Sequence, residues 1–157
     1  MDAAYRRVYL SILAVLRSGG VVSDDERLLF FVILTHEKTN MLGVFRLPVD
    51  YLKADLGWTI ERTQEAFQKL LEKEIILYDP YEQLLMVHPR LNHVPISDYT
   101  SPLQFKRALH IVAGLPRSEI YIELIAYLEK LKNRSGFRPI VDGLKRVLIR
   151  REFQGHR

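Results

Sequence analysis

Apolar positions near the start of the chain predict two segments that are separated by glycines. Residues 5–16 are compatible with one helix or with a strand that runs into a short helix, and Gly19-Gly20 ends this segment. Ser23 predicts a helix N-cap, with Glu26 three residues later to complete a capping box. The positions that follow are almost all apolar, which predicts a helix buried in the core: Leu28, Leu29, Phe31, Val32 and Leu34.

The middle of the chain predicts two further helices joined by a short turn. An extended piece at residues 43–46 precedes a helix that begins at Pro48, because proline favours the first helical position. This helix ends near Leu56, Gly57 supplies a tight turn, and Thr59 caps the next helix. The inward positions of that helix recur at helical spacing: Thr63, Phe67, Leu70 and Leu71. Two helices joined by so short a glycine-containing turn are typical of a helix-turn-helix.

Two strands are predicted after these helices, at residues 75–78 and 84–88, around a turn that contains Pro80. The resulting order of helix, strand, helix, turn, helix and hairpin is that of a winged helix. The predicted fold is mainly α with a small antiparallel β-hairpin, in which a winged helix-turn-helix over residues 1–90 is followed by a helical extension.

Residues 91–100 have no apolar period and predict a linker, and residues 101–157 predict the helical C-terminal extension. Ser101 and Pro102 begin its first helix, Ser118 caps the second, and residues 133–137 form a loop before a last helix that starts near Pro139. Apolar positions define the inner faces of the first and last helices: Phe105, Ala108, Leu109 and Val112, then Ile140, Leu144, Val147 and Leu148.

The composition of the 157 residues adds a compartment and a charge asymmetry. The chain has no cysteine, which favours a reducing compartment, and the apolar stretch at residues 8–16 is too short to span a bilayer. We therefore expect a cytoplasmic protein without membrane contact. Residues 1–99 hold 11 Lys/Arg and 14 Asp/Glu, a net charge of −3, whereas residues 100–157 hold 12 and 5, a net charge of +7. Such asymmetry indicates nucleic-acid contact by the basic part, or a well-solvated helical surface.

The second helix of a winged helix normally enters the major groove, which makes its outward side chains candidate DNA contacts. Arg62 has the fork that guanine accepts, and Gln64 or Gln68 can pair with adenine. Lys69 also faces outward. Acidic side chains nevertheless outnumber basic ones in this region, at Glu61, Glu65, Glu72 and Glu74 against Arg62, Lys69 and Lys73. A protein–protein surface on the same fold therefore stays open as an alternative.

Two other places carry candidate DNA contacts. Tyr81 lies at the predicted wing tip, where an aromatic ring can stack on a sugar or base or can simply pack against the protein. In the last helix, basic side chains fall on the arc away from the apolar face and form a candidate phosphate track: Arg138, Lys145, Arg146 and Arg150, with Arg134 and Arg151 close by. A solvated helix face is the alternative for these residues.

Enzyme chemistry has no motif in the sequence. Gly19-Gly20 lacks the spacing and the lysine of a phosphate-binding loop, and no serine lies in a nucleophile-elbow pattern. The histidines lack the spacing of metal ligands: His36, His88, His93, His110 and His156. We expect a protein that is not an enzyme and that has no cofactor and no metal.

The stretch Thr39-Asn40-Met41-Leu42-Gly43-Val44-Phe45-Arg46-Leu47-Pro48 resembles a motif of phage and prophage replication proteins, the replisome-organiser or helicase-loader group often called DnaD-like. Similarity continues through residues 54–58 and 76–80 and, more weakly, through 115–118, so that it covers roughly residues 23–128. The resemblance implies an N-terminal winged helix, binding at a replication origin, self-assembly into a homo-oligomer, and hand-off to a replicative helicase or its loader.

The sequence therefore predicts a DNA-binding accessory protein of phage-type replication initiation, acting in origin binding or helicase loading. Two alternatives remain at this stage. The same residues fit a winged-helix transcriptional regulator, and they fit a winged helix that is used only for self-assembly and partner docking. The expected partners are DNA, a replicative helicase or its loader, and further copies of the chain.

Overall fold

The computed structural model describes residues 11–18, 20, 23–92, 101–131 and 134–150. This part of the chain is mainly helical, with seven α-helices and one small three-stranded antiparallel sheet. It divides into two compact units, Met1–Asp98 and Tyr99–Arg157, which are called here the N-terminal unit and the C-terminal unit. The expectation of a mainly α protein is confirmed, and the sheet has one strand more than the predicted hairpin.

The N-terminal unit contains four of these helices and all three strands. Its elements follow in the order α1 Ser11–Ser18, α2 Asp24–Thr35, β1 Val44–Arg46, α3 Val49–Leu56, α4 Ile60–Glu72, β2 Ile76–Asp79 and β3 Leu84–Val87. A short 3₁₀ turn over Pro89–Leu91 follows the last strand. The first part of the segment predicted at residues 5–16 lies outside the described residues. Within those residues, no helix is both long and apolar enough to cross a membrane.

Helix α2 packs its apolar residues on two sides, only one of which faces the core. Ser23 caps the helix, since its hydroxyl accepts a hydrogen bond from the Glu26 amide at 3.1 Å. The core face consists of Leu29, Phe30, Ile33 and Leu34. The prediction that Phe31 lies in the core is wrong, because Phe31 is 38% exposed and Phe30 is fully buried. Helical spacing explains the difference: residue 30 lies three and four positions before residues 33 and 34, whereas residue 31 is two positions from residue 33 and lies across the helix from it.

Helices α3 and α4 are joined by the predicted tight turn. Pro48 precedes α3 as its N-cap rather than occupying its first position. Gly57 ends α3 with a φ of +66°, a left-handed conformation that glycine adopts without steric cost. The Thr59 hydroxyl accepts a hydrogen bond from the Arg62 amide at 3.3 Å and so caps α4. Three of the four predicted inward residues of α4 are buried, namely Thr63, Phe67 and Leu70. Ala66 is buried beside them, and the fourth, Leu71, is only partly buried.

The sheet has the strand order β1-β3-β2, with both pairings antiparallel. Strand β1 is positioned by Asn40, whose side-chain oxygen accepts hydrogen bonds from the amides of Leu42 at 3.0 Å and Val44 at 3.3 Å. The amide group of Asn40 donates to the Val44 carbonyl. Gly43 has a φ of +70° within this turn. The segment that carries the family resemblance therefore has a structural role in leading the chain into β1.

The C-terminal unit consists of three helices, α5 Pro102–Ala113, α6 Tyr121–Lys130 and α7 Arg134–Ile149. Ser101 and Gln104 form a capping box at the start of α5. Helices α5 and α7 run parallel. Phe105 near the start of α5 contacts Phe137 near the start of α7. About two turns later in each helix, Val112 of α5 lies against Gly143 of α7. The predicted inward face of α5 holds except at Leu109, which is 38% exposed.

Two helix boundaries in this region differ from the sequence predictions. Helix α6 begins at Tyr121 and not directly after Ser118, whose hydroxyl accepts a hydrogen bond from the Ile120 amide within a preceding turn. Helix α7 begins at Arg134, where a loop was predicted, and Pro139 lies inside it. Burial of Phe137 against Phe105, with ring centroids 5.5 Å apart, outweighs the local preference of the proline. Most of the predicted linker, at residues 93–100, lies outside the described residues.

Candidate nucleic-acid interface

The outer surface of α4 is acidic along its centre. The residues opposite the buried face recur at helical spacing and are all exposed: Glu61, Glu65, Gln68 and Glu72. The Gln68 amide donates to the Glu72 carboxylate at 3.3 Å, and Gln64 is exposed beside this line. Carboxylates that face DNA phosphates lower affinity, because phosphate neutralisation supplies most of non-specific binding. This surface therefore offers base-reading side chains but no net attraction for the DNA backbone.

The basic side chains on or just after α4 are engaged by carboxylates. Arg62 donates to Asp25 through two bonds, Nε to Oδ2 at 2.9 Å and Nη2 to Oδ1 at 2.7 Å. Lys69 lies 3.2 Å from Glu65 on the same helix. Lys73 binds the buried carboxylate of Glu26 at 2.6 Å. Each of these positive charges is therefore compensated within the protein.

The Arg62–Asp25 pair has a third member. The Arg62 guanidinium lies 4.2 Å above the centroid of the Trp58 ring. Its hydrogen bond and its charge hold the pKa of the Asp25 carboxyl below the usual value, and the same hydrogen bond raises the pKa of Arg62. Both groups therefore remain charged over the physiological range. The pair borders a cavity of about 270 Å³ lined by Ser23, Asp24, Asp25, Arg62, Glu65, Ala66 and Lys69.

The turn between β2 and β3 presents Tyr81 to solvent. One Asp79 carboxylate oxygen accepts hydrogen bonds from the amides of Tyr81 at 3.0 Å and Glu82 at 3.2 Å, which fixes the turn. Glu82 also pairs with Arg46 of β1 at 3.1 Å. Tyr81 is 85% exposed, so of the two roles considered for it, packing against the protein does not apply.

Most basic side chains in the described part of the C-terminal unit have no ion pair with another described residue. Arg138 and Arg146 on α7 and Arg150 directly after it are exposed, and their side chains have no ion pair or hydrogen bond within the described residues. Lys145 differs, because its ammonium group lies 2.8 Å from Glu129 of α6. The side chain of Arg134 and the whole of Arg151 lie outside the described residues. Three of the four predicted α7 contacts are thus available to an anionic partner.

Sequence reasoning missed further cations of this unit, two of them on α5. Lys106 and Arg107 on α5 are exposed and have no ion pair in the described part of the chain. The apolar period of α5 could have identified them, because both fall away from the buried positions Ala108 and Val112. The predicted site residues thus form two sets, one on α4 and the β2–β3 turn and the other on α7.

A groove of about 450 Å³ lies between α2 and α3 in the N-terminal unit. His36 lines it with both ring nitrogens engaged: Nδ1 accepts a hydrogen bond from the Lys38 amide at 3.2 Å, and Nε2 lies 3.5 Å from Asp55. Among the described residues, no three His, Cys, Asp or Glu side chains come together as metal ligands do.

No protein-family model, curated protein or solved structure matches this chain. Function is therefore inferred from the side chains themselves. The most informative feature is the contrast between the compensated cations around α4 and the uncompensated cations on α5 and α7.

Proposed function

We propose that the chain is a DNA-binding accessory protein of phage-type replication initiation, and that its C-terminal unit supplies most of the affinity for DNA. The observation that carries this proposal is the set of exposed basic side chains without carboxylate partners on α5 and α7. An unpaired cation that neutralises a phosphate releases a condensed counterion, which favours binding in a salt-dependent way. A cation that already holds a carboxylate loses that partner when it binds phosphate and so gains less.

The N-terminal unit is proposed to act as a winged helix-turn-helix. Two observations support this: the element order α2, β1, α3, α4, β2, β3, and the sheet order β1-β3-β2 with the β2–β3 turn exposed. In such a module, α4 faces the major groove and Tyr81 at the turn lies near the backbone. Gln64, Gln68 and Arg62 then face base edges, whereas Lys69 contributes little while it is held by Glu65.

The replication role rests on the resemblance of residues 39–48 to the replisome-organiser group. The helicase or its loader, and self-assembly, enter the proposal on the same ground. A transcriptional regulator would use the same surfaces, so the DNA-binding part of the proposal is shared by both roles. The first experiment therefore addresses DNA binding itself.

The test is a titration of fluorescent duplex and single-stranded DNA at several salt concentrations. The parent protein is expected to bind at low salt and to weaken steeply between about 50 and 200 mM salt. Replacing Arg138, Arg146 and Arg150 by Ala removes three uncompensated cations, so the slope of log affinity against log salt should become shallower by about 2–3 units. Lys145 is left intact because Glu129 already compensates it.

The matched control removes the same charge from the N-terminal unit by replacing Arg17, Arg46 and Lys53 with Ala. All three are exposed. This variant should keep a slope within about one unit of the parent. An equal loss in both variants would contradict the assignment of affinity to the C-terminal unit. A parent that does not bind DNA at low salt would refute DNA binding.

Partner docking through α4 is the second candidate, and the acidic line of Glu61, Glu65 and Glu72 favours it. An exposed carboxylate surface suits a basic protein partner better than a polyanion. The same titration separates the two candidates, because a docking module would not bind DNA at low salt.

We also propose that the protein is not an enzyme. Purified protein should show no steady hydrolysis of ATP and no stoichiometric metal by elemental analysis. ATP turnover that persists through further purification would contradict this part of the proposal.

A further inference from the structure

The geometry points to Asp25 and Trp58 as positioning residues that hold Arg62 ready to read guanine in the major groove. This inference rests on the proposed DNA-binding function and names the base that the N-terminal unit recognises. On this inference, the C-terminal unit contacts phosphates and provides affinity, whereas the N-terminal unit contacts bases and provides sequence preference.

The hydrogen bonds to Asp25 leave one edge of the Arg62 guanidinium free. A guanidinium carries five N–H donors in a fixed plane. Asp25 accepts from Nε and from one hydrogen of Nη2, which together form the side edge of the group. The other hydrogen of Nη2 and one hydrogen of Nη1 form the terminal edge, which has no partner among the described residues. Two parallel donors on one edge are the arrangement that O6 and N7 of guanine accept.

Trp58 fixes the plane of the same guanidinium. The ring lies 4.2 Å from the Arg62 carbon Cζ, and Trp58 itself is only 8% exposed, so it is anchored in the core. Asp25 restricts rotation within the plane, and Trp58 restricts tilting out of it. A side chain that is already ordered loses less entropy when it binds. The Arg62 side chain remains 50% exposed, which leaves room for a base edge.

The surroundings of Arg62 favour a base over a phosphate as its ligand. Asp24, Asp25 and Glu65 line the adjoining cavity, and a phosphate placed there would meet their negative charges. A base edge carries only partial charges and is repelled far less. Position 62 lies in the first turn of α4, and N-terminal residues of a recognition helix contact base edges.

A different role for Asp25 predicts the opposite result. If Asp25 competes with DNA for Arg62, then removing its charge releases a cation and strengthens binding to every duplex. If Asp25 positions Arg62, then removing its charge weakens the preference for guanine and leaves general affinity unchanged. The sign of the Asp25→Asn effect therefore distinguishes the two roles.

The experiment is selection from a randomised duplex library by the full-length protein, followed by sequencing. The parent should enrich guanine at one position by about tenfold or more, the discrimination that one bidentate contact provides. Arg62→Lys removes the planar fork but keeps the charge, and it should abolish this enrichment. Asp25→Asn and Trp58→Phe should reduce it several-fold, with the salt slope unchanged.

Arg46 and Glu82 supply the matched control, because they form another Arg–carboxylate ion pair, 3.1 Å long, between β1 and the β2–β3 turn. Arg46→Lys and Glu82→Gln should preserve the guanine enrichment of the parent. Thermal unfolding of each variant identifies any that lose the fold. If Trp58→Phe is unfolded, the result for Asp25→Asn, which replaces an exposed side chain, decides the test.

Three results would overturn the inference. A parent that binds duplex DNA without base preference would remove guanine reading and leave the proposed function intact. An Asp25→Asn variant that binds all duplexes more tightly would make Asp25 a competitor of DNA. A parent that binds no DNA would refute the proposed function, and the inference with it.

Discussion

The two units of this protein use their basic side chains in different ways. In the N-terminal unit, Arg46, Arg62, Lys69 and Lys73 each lie within 2.6–3.2 Å of a carboxylate. In the described part of the C-terminal unit, Lys145 is the one basic side chain that does so. Arg17 and Lys53 of the N-terminal unit are exposed and have no ion pair among the described residues, so the contrast concerns the cations around α4. The number of uncompensated cations, rather than the net charge, determines how many phosphates a surface can neutralise.

The contrast has its origin in how each unit is held together. Asp25 and Glu26 in the first turn of α2 bind Arg62 and Lys73 at opposite ends of α4, so these pairs belong to the packing of α2 against α4. The C-terminal unit is joined by apolar contacts, such as Phe105 against Phe137. Apart from Lys145, which pairs with Glu129 of α6, the cations described in this unit take no part in packing and remain at the surface.

The largest effect is expected from the core of the N-terminal unit. Phe67 is 6% exposed and packs edge-on against Tyr78, with ring centroids 5.1 Å apart. Phe67→Ala should lower the free energy of unfolding by about 3–5 kcal/mol, as truncation of buried aromatics does. Urea denaturation followed by circular dichroism measures this loss. A melting temperature close to that of the parent would show that Phe67 lies outside the core.

Phe31→Ala is the matched control for this prediction. Phe31 is 38% exposed, so its truncation leaves no closed cavity and should cost less than about 1 kcal/mol. Phe30→Ala, on the buried side of the same helix, should resemble Phe67→Ala. Equal losses at positions 30 and 31 would contradict the observation that Phe30, and not Phe31, faces the core.

The next effect tests whether a compensated cation supports the fold. The Glu26 side chain is only 4% exposed, and Lys73→Met leaves its charge without this partner. We expect a loss of about 1.5–3 kcal/mol in the free energy of unfolding, the range for hydrogen bonds to charged groups. Lys69→Met removes an exposed pair within one helix turn and should cost about 0.2–0.5 kcal/mol. Similar losses for both variants would mean that burial of Glu26 does not matter.

Local signals were sufficient to predict most of the N-terminal unit. Ser23 and Thr59 cap α2 and α4 as expected, Gly57 makes the turn, and the two hairpin strands lie within about one residue of their predicted bounds. The start of α7 could not be predicted in this way. There Gly136 and Pro139 disfavour helix locally, and the contact of Phe137 with Phe105, 32 positions away in the chain, decides the outcome.

The candidate site was predictable in its composition but not in its electrostatics. The sequence indicates that Arg62 and Lys145 face outward, and both are exposed. It does not indicate that Asp25 binds Arg62 across 37 positions, or that Glu129 binds Lys145 across 16. Such pairs depend on how helices pack, which helical periodicity within one segment does not determine.

A smaller effect concerns the stability of the N-terminal unit at high pH. Tyr78 donates a hydrogen bond to the Leu47 carbonyl at 3.1 Å. Burial raises the pKa of Tyr78 above 10.0, with a further contribution from the charges of Asp79 and Asp50. The folded state thus favours the neutral phenol of Tyr78. The contribution of this phenol to stability is complete below pH 10.0, the pKa in the unfolded chain, and is lost as the pH rises through the raised pKa of the folded state.

Tyr78→Phe tests this interpretation. The variant should be less stable by about 1 kcal/mol at neutral pH, because it lacks the hydrogen bond. Its stability should then fall less steeply than that of the parent above pH 10.0. Urea denaturation across this range provides both values. Parallel pH profiles for parent and variant would show that Tyr78 is not the group responsible.

The smallest expected effect comes from the most specific test of the comparison, a substitution that turns one compensated cation into an uncompensated one. Glu129→Gln removes the carboxylate that lies 2.8 Å from Lys145. If free cations provide the affinity, this single change should steepen the slope of log affinity against log salt by up to about 0.9 on duplex DNA. If net charge alone set the affinity, removing any exposed carboxylate would steepen the salt slope by the same amount. Glu123→Gln, which removes an exposed carboxylate of α6 without an ion pair in the described residues, measures that general effect.

Lys145→Ala completes the argument when it is made in both backgrounds. In the parent, Lys145 is held by Glu129, so its removal should change the salt slope little. In the Glu129→Gln background, Lys145 is free, and its removal should return the slope to the parental value. The coupling between the two positions, rather than either single effect, is the quantity that pairing predicts. Additive effects at positions 129 and 145 would mean that the ion pair does not restrain Lys145, and the distinction between compensated and uncompensated cations would then fail.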